Sequence, residues 1–146
     1  MRAVVLAAAA LGAAALLAPA ASAAILIQFN TTAAQPGTVV RVTTAMNSAP
    51  LPPVAGSGAR WYLFLVRVDV ASGNPTRGMN GVFRVAPLGI TASGSAYATF
   101  RVPNARGGYY TPAIGCRSCP SRRLILGGEH NARSTQRDIL RIFRSR

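Results

Sequence analysis

The sequence predicts an all-β domain: a two-sheet antiparallel β-sandwich of about seven short strands, exported behind a signal peptide. Three observations carry this. Runs of β-branched and aromatic residues recur along the chain. Clusters of Gly, Pro, Asn and Ser separate them at short intervals. Residues 1–23 have the layout of an export signal.

Met1-Arg2 gives a positive start, and Ala3 to Leu17 is an unbroken apolar run. Pro19 breaks it, and Ala21-Ser22-Ala23 places small residues at a cleavage site. The mature chain is expected to begin at Ala24. Residues 24–146 then form one domain, a length that suits a single hydrophobic core. The alternative is an uncleaved leader, since Ala3 to Ile27 is long enough to anchor the chain in a bilayer.

Ile25 to Phe29 reads as the first strand, and Pro36-Gly37 punctuates the turn after it. Thr38 to Thr44 is rich in β-branched residues and forms the second. Ala45 to Ala59 is a Pro/Gly-rich loop. Arg60 to Val68 is apolar on both faces, as expected of a central strand. Val82 to Val85 is a short strand, and Ile90 to Gly94 a turn region. Ala96 to Val102 alternates, with Ala96, Ala98, Phe100 and Val102 on one face and Tyr97, Thr99 and Arg101 on the other. Tyr109 to Ile114 and Leu124 to Leu126 complete the set.

The segment from Thr135 to Arg144 reads two ways. As a helix it gathers Ile139, Leu140, Ile142 and Phe143 on one side, with Thr135 and Asp138 as a capping box. As a strand it points Leu140 and Ile142 inward and Arg141 outward. The context of short strands favours a closing edge strand, because packing overrides propensity in short segments.

Three pieces of the chain carry a loose resemblance. They are Ala34-Gln35-Pro36-Gly37-Thr38-Val39-Val40, then Ala98-Thr99-Phe100-Arg101-Val102-Pro103 followed by Gly107-Gly108-Tyr109, and the pair Cys116 and Cys119. In these the chain resembles small secreted immunoglobulin-like β-sandwich proteins of GC-rich bacteria. The resemblance implies the immunoglobulin-like form of the sandwich. It implies no site residues.

All sixteen basic residues are Arg, set against only three acids, Asp69, Glu129 and Asp138. Arg without Lys, beside abundant Ala, Gly and Pro, points to a GC-rich bacterial genome. The charge is concentrated late: ten Arg and two acids follow Phe100. Outside the cell such a surface suits anionic lipid headgroups, wall polymer or an acidic protein. Nucleic acid is not an expected partner of an exported protein.

Cys116-Arg117-Ser118-Cys119-Pro120 is the sharpest local motif. Two Cys in an exported chain are expected to form a disulfide. Redox chemistry would favour a first Cys at a helix N-terminus, but a strand precedes this pair. Metal binding would need further ligands, and His130 is the one His available to join Cys116 and Cys119. Catalysis lacks material: no Gly-x-Ser-x-Gly, no His-Glu-x-x-His, no Lys. Trp61 on the central strand is expected in the core, although Trp61 and Tyr62 could instead form a stacking surface.

The functional expectation is a secreted, non-enzymatic binding or structural protein at the cell envelope, with no cofactor. Arg122, Arg123, Arg133, Arg137, Arg141 and Arg144 are its expected contact residues. A thiol-based metal or redox protein built on Cys116 and Cys119 is the alternative. An envelope-perturbing basic helix at the C-terminus is a third possibility.

Overall fold

The computed structural model describes residues 25–45, 48–51, 60–117, 121–127 and 136–144. The leader, the start at Ala24, Cys119, Glu129, His130, Arg133 and Thr135 lie outside these residues. The described chain is all-β and forms two sheets. The first sheet holds β1 (Ile27–Phe29), β3 (Val39–Thr44), β6 (Gly89–Ile90) and β7 (Ala96–Arg101), in the order β1-β3-β7-β6 and antiparallel throughout. The second holds β2 (Ala33–Ala34), β4 (Trp61–Arg67), β5 (Val82–Pro87), β8 (Gly108–Cys116), β9 (Ile125–Leu126) and β10 (Leu140–Ile142). Its order is β2-β10-β8-β4-β5, with β9 also paired to β8.

The crossing from one sheet to the other begins at Asn30. Its backbone N–H donates to the Arg41 carbonyl at 2.9 Å, and its side-chain Oδ1 accepts the Arg41 N–H at 2.8 Å. The side chain thus takes over a ladder position and frees the backbone to turn away. Three residues later β2 joins the second sheet, running parallel to β10.

Strands β3 and β7 alternate as the sequence predicts. Val40 and Val42 are buried, as are Ala96, Ala98 and Phe100, while Tyr97, Thr99 and Arg101 are exposed. From the other sheet Leu63, Leu65, Ile114, Leu140 and Ile142 meet them in one core. Phe29 and Phe100 close it edge to face, with ring centroids 6.4 Å apart. Trp61 is buried in this same core, as expected.

β4 is central, with β5 on one side and β8 on the other. Its unalternated apolar run has a specific cause. Leu63 and Leu65 face the main core, whereas Phe64 and Val66 belong to a second cluster with Ala71, Ala113 and Leu124. Ala71 comes from the short helix α1 (Val68–Ala71), and Leu124 from the segment leading into β9. Both faces of the second sheet are therefore covered here, so neither can be polar.

Pro112 lies inside β8, where a missing N–H should break a ladder. Its carbonyl accepts from Gly127 at 2.8 Å, so its polar edge faces the β9 side and not β4. There β8 changes partner, from β10 opposite residues 108–110 to β9 opposite 113–114. The proline occupies a gap in pairing and costs no bond to β4. At the start of β8 the Tyr110 hydroxyl donates to the Arg106 carbonyl at 2.8 Å. Its ring packs edge to face on Phe83 at 6.0 Å.

Two expectations need correction. Ten strands form among the described residues, not about seven, because β2 and β6 are two-residue strands too short to show a period. The C-terminal segment is a strand, with the expected inward Leu140 and Ile142 and outward Arg141, but it is not an edge. β10 lies between β2 and β8, and a 3-10 turn at Gln136–Asp138 replaces its first residues.

Candidate anion-binding groove

The outer face of the second sheet carries the groove. Beside the second apolar cluster lies a cavity of about 300 Å³, lined by Tyr62, Phe64, Val82, Arg77, Arg84 and Arg117 among others. A second cavity of about 310 Å³ shares Tyr62, Arg84 and Arg117 and continues along β5 past Pro87. The two form one groove, with those three residues at its middle.

Each side chain is placed by the strand pairing. Tyr62 alternates outward from β4 and is half-buried. A β-bulge interrupts the β4–β5 register between Leu63 and Phe64, so that Phe64 faces Arg84 while Leu63 faces Ala86. Bulges re-aim side chains, and this one leaves Val85 and Ala86 against the main core while Arg84 is exposed on the groove side. The Arg84 guanidinium sits over the Tyr62 ring, 5.2 Å from its centroid. Arg117 follows β8 directly. Arg77 comes from the turn between α1 and β5, and its Nη1 and Nη2 donate to the carbonyls of Arg117 at 2.8 Å and Ser121 at 3.3 Å. It is therefore a fixed charge that also holds the chain beyond β8 in place.

Among the described residues, no carboxylate lines either cavity. Asp69 is engaged elsewhere: Arg67 Nε donates to its Oδ1 at 2.6 Å. That hydrogen bond holds the Asp69 carboxyl below its ordinary range and raises the Arg67 guanidinium above its own. Asp69 is thus paired with Arg67, away from the groove lining. Asp138 is buried at the 3-10 turn. Among the described residues, three Arg thus supply the charged lining of the groove, beside an apolar floor.

The Arg residues expected from the sequence do not form one surface. Arg122 and Arg123 are exposed beside the groove; the Arg122 carbonyl accepts the Arg77 N–H at 3.0 Å, and Arg123 bridges Thr76 and reaches Asn74 Oδ1 at 2.7 Å. Arg141 pairs with Tyr109 at the far end of β8. Eight residues of strand separate Tyr109 from Arg117, about 26 Å at the usual rise. Arg144 belongs to that far end too, where it donates to Asn104 Oδ1 at 3.0 Å and the Ala105 carbonyl at 3.3 Å. Arg137 is exposed on the 3-10 turn, and Arg133 lies outside the described residues.

The groove residues Arg77, Arg84 and Arg117 escaped sequence reasoning. The available signal was Arg84, a lone cation inside an otherwise apolar strand, two residues from the turn-side Val82. Tyr62 was singled out together with Trp61, and the two part company: Trp61 is core, Tyr62 is groove.

Of the thiol alternative's candidate residues, Cys116 alone lies among the described residues. Cys116 ends β8, is buried, and follows a strand instead of opening a helix. No free cysteine and no cluster of three metal-ligating side chains occurs among the described residues. Nor is any described helix long and apolar enough to cross a membrane. No protein-family model matches the chain, and neither curated proteins nor solved structures provide a match.

Proposed function

We propose that the chain is a secreted, non-enzymatic binding protein of the cell envelope, an immunoglobulin-like sandwich that holds anionic partners on an Arg-rich surface. The observation that carries the reading is that Arg77, Arg84 and Arg117 line one groove, with no carboxylate among its described lining residues. Guanidinium forks fit carboxylate and phosphate geometry, and low-dielectric walls strengthen the field inside a cleft. Anionic lipid, wall polymer or an acidic protein remain the partners this chemistry suits.

The strand order supports the immunoglobulin-like form. β1-β3-β7-β6 corresponds to A-B-E-D, and β10-β8-β4-β5 to G-F-C-C′, with β2 as a parallel strand beside G. A tyrosine near the start of strand F bonded to upstream backbone is a hallmark of that architecture, and Tyr110 fits it. A Trp on strand C is another, and Trp61 lies on β4. A Cys116–Cys119 disulfide belongs to the same proposal and would clasp the chain at Arg117.

Retention on anionic vesicles or isolated wall polymer tests the function. It should fall steeply with salt, since exposed charges are screened within roughly 10 Å at 0.1 M. Arg84→Gln with Arg117→Gln should weaken it more than changing Arg137, Arg141 and Arg144 together. Retention indifferent to salt and to both sets of changes contradicts the reading.

A further inference from the structure

We infer that the groove takes a small oxyanion carried on an apolar body, a carboxylate or phosphate joined to an aromatic ring or short aliphatic group. This rests on the anion-binding reading above and goes further by naming the ligand's chemistry. The wall and the floor of the site ask for different things. Arg84 and Arg117 supply guanidinium donors at its middle, and Arg77 adds a third charge held by two carbonyls. The Arg84 guanidinium carbon lies 5.2 Å from the Tyr62 ring centroid, and a guanidinium carries five N–H donors. Donors therefore remain for an oxyanion while the contact with the ring is kept.

The floor is different. Phe64 belongs to the second apolar cluster, with Tyr62 and Val82 packed against it. A bare inorganic anion gains nothing from such a surface and must shed water to approach it. A ring or short chain attached to the anion covers the apolar floor while its charged end meets the guanidiniums. At about 300 Å³ each, the two cavities sit at the lower end of the range for ligand pockets. That size suits a small molecule or the terminal unit of a larger one.

The full chain, titrated at fixed ionic strength with phenyl phosphate and with inorganic phosphate, tests this. Phenyl phosphate should bind at least about tenfold more tightly, the contribution of its ring on the apolar floor. Arg84→Gln or Arg117→Gln should each weaken both anions by about tenfold, the worth of a lost charge-assisted contact. Val82→Thr, nearly the same size, should weaken phenyl phosphate alone. Circular dichroism of each variant confirms the fold. Vesicles of phosphatidylglycerol in phosphatidylcholine separate the sources: competition with phenyl phosphate places a lipid headgroup in the same groove and supports the inference. Equal binding of the two phosphates overturns it and leaves the anion-binding reading standing. Binding of neither overturns both. Vesicle binding that persists in both Arg variants and ignores phenyl phosphate also overturns it, since the lipid contact then lies elsewhere on the basic surface.

Discussion

Removing the Tyr110 hydroxyl isolates a side-chain tie at the start of β8. In Tyr110→Phe the ring stays, so the edge-to-face contact with Phe83 at 6.0 Å and the burial of the ring survive. Only the 2.8 Å bond to the Arg106 carbonyl is lost. A hydrogen bond contributes about 0.5–1.5 kcal/mol net, and an orphaned buried acceptor costs about 1–3 kcal/mol. Arg106 is exposed, so water can reach that side of its carbonyl and the lower range applies. The expected loss is about 1 kcal/mol. With a urea m-value of about 2 kcal/mol/M for a domain this size, the midpoint should fall by about 0.5 M with m unchanged.

The same variant has a pH signature. Burial raises the Tyr110 phenol above its ordinary value of 10.0. A group whose folded pKa is raised contributes its stability below the unfolded pKa and loses it as pH climbs through the folded one. The wild type should therefore lose stability above pH 10 through a group that the Phe variant lacks. The gap between the two should narrow from pH 8 to pH 11. Equal midpoints at pH 8, or a gap that does not change by pH 11, would refute the assignment.

Trp61→Ala should cost about 3–5 kcal/mol, because it empties a buried position of the main core; wild-type urea stability would place Trp61 at a surface. Gly115→Ala should cost about 1–3 kcal/mol by overpacking, since its new methyl would stand 2.6 Å from Leu124 Cδ2 and 3.0 Å from Phe64 Cε2. An unchanged urea midpoint would show that Leu124 moves aside freely. In non-reduced exported protein, alkylation should add no mass, and the intact mass should match a chain beginning at Ala24. Two labels would refute the Cys116–Cys119 link, and a retained Met1 would refute cleavage.

Much of the strand pattern was legible because it is local. Ala96, Ala98, Phe100 and Val102 repeat at the period of the pleat, and so do Val40 and Val42. The unalternated run on β4 was legible as central, but not its reason, since Ala71 and Leu124 come from segments on either side of it in sequence and meet only in the fold. At the C-terminus the helical period of Ile139, Leu140, Ile142 and Phe143 competes with the strand period of Leu140 and Ile142. Pairing with Tyr109 and Tyr110 on one side and Ala33 and Ala34 on the other decides for the strand. Those partners are 30 and more than 100 residues away, beyond any local window. The groove is illegible for the same reason. Arg77, Arg84 and Arg117 share no spacing, and they converge only because β4 is held between β5 and β8.

The groove also explains why the second apolar cluster stops where it does. Along the outer face of β4, Val66 lies between half-buried Val82 and buried Thr111, and Phe64 between exposed Arg84 and buried Ala113. One step further, Tyr62 has Pro87 on one strand and Gly115 on the other. The space beside Gly115 is taken by Leu124 and Phe64, so the cluster ends against one side of the Tyr62 row. Pro87 is exposed and offers no large side chain to continue the cover. Tyr62 is thus left at a boundary, with its ring against apolar neighbours on one side and Arg84 on its face. A tyrosine tolerates such a position because its body is apolar and its tip polar. Fill position 87 with a large apolar residue and the cluster would extend over the groove. Place a carboxylate there and it would pair with Arg84 or Arg117. The small residues at 87 and 115 keep the apolar floor and the cations side by side and both accessible, which is the juxtaposition that an amphiphilic anion requires.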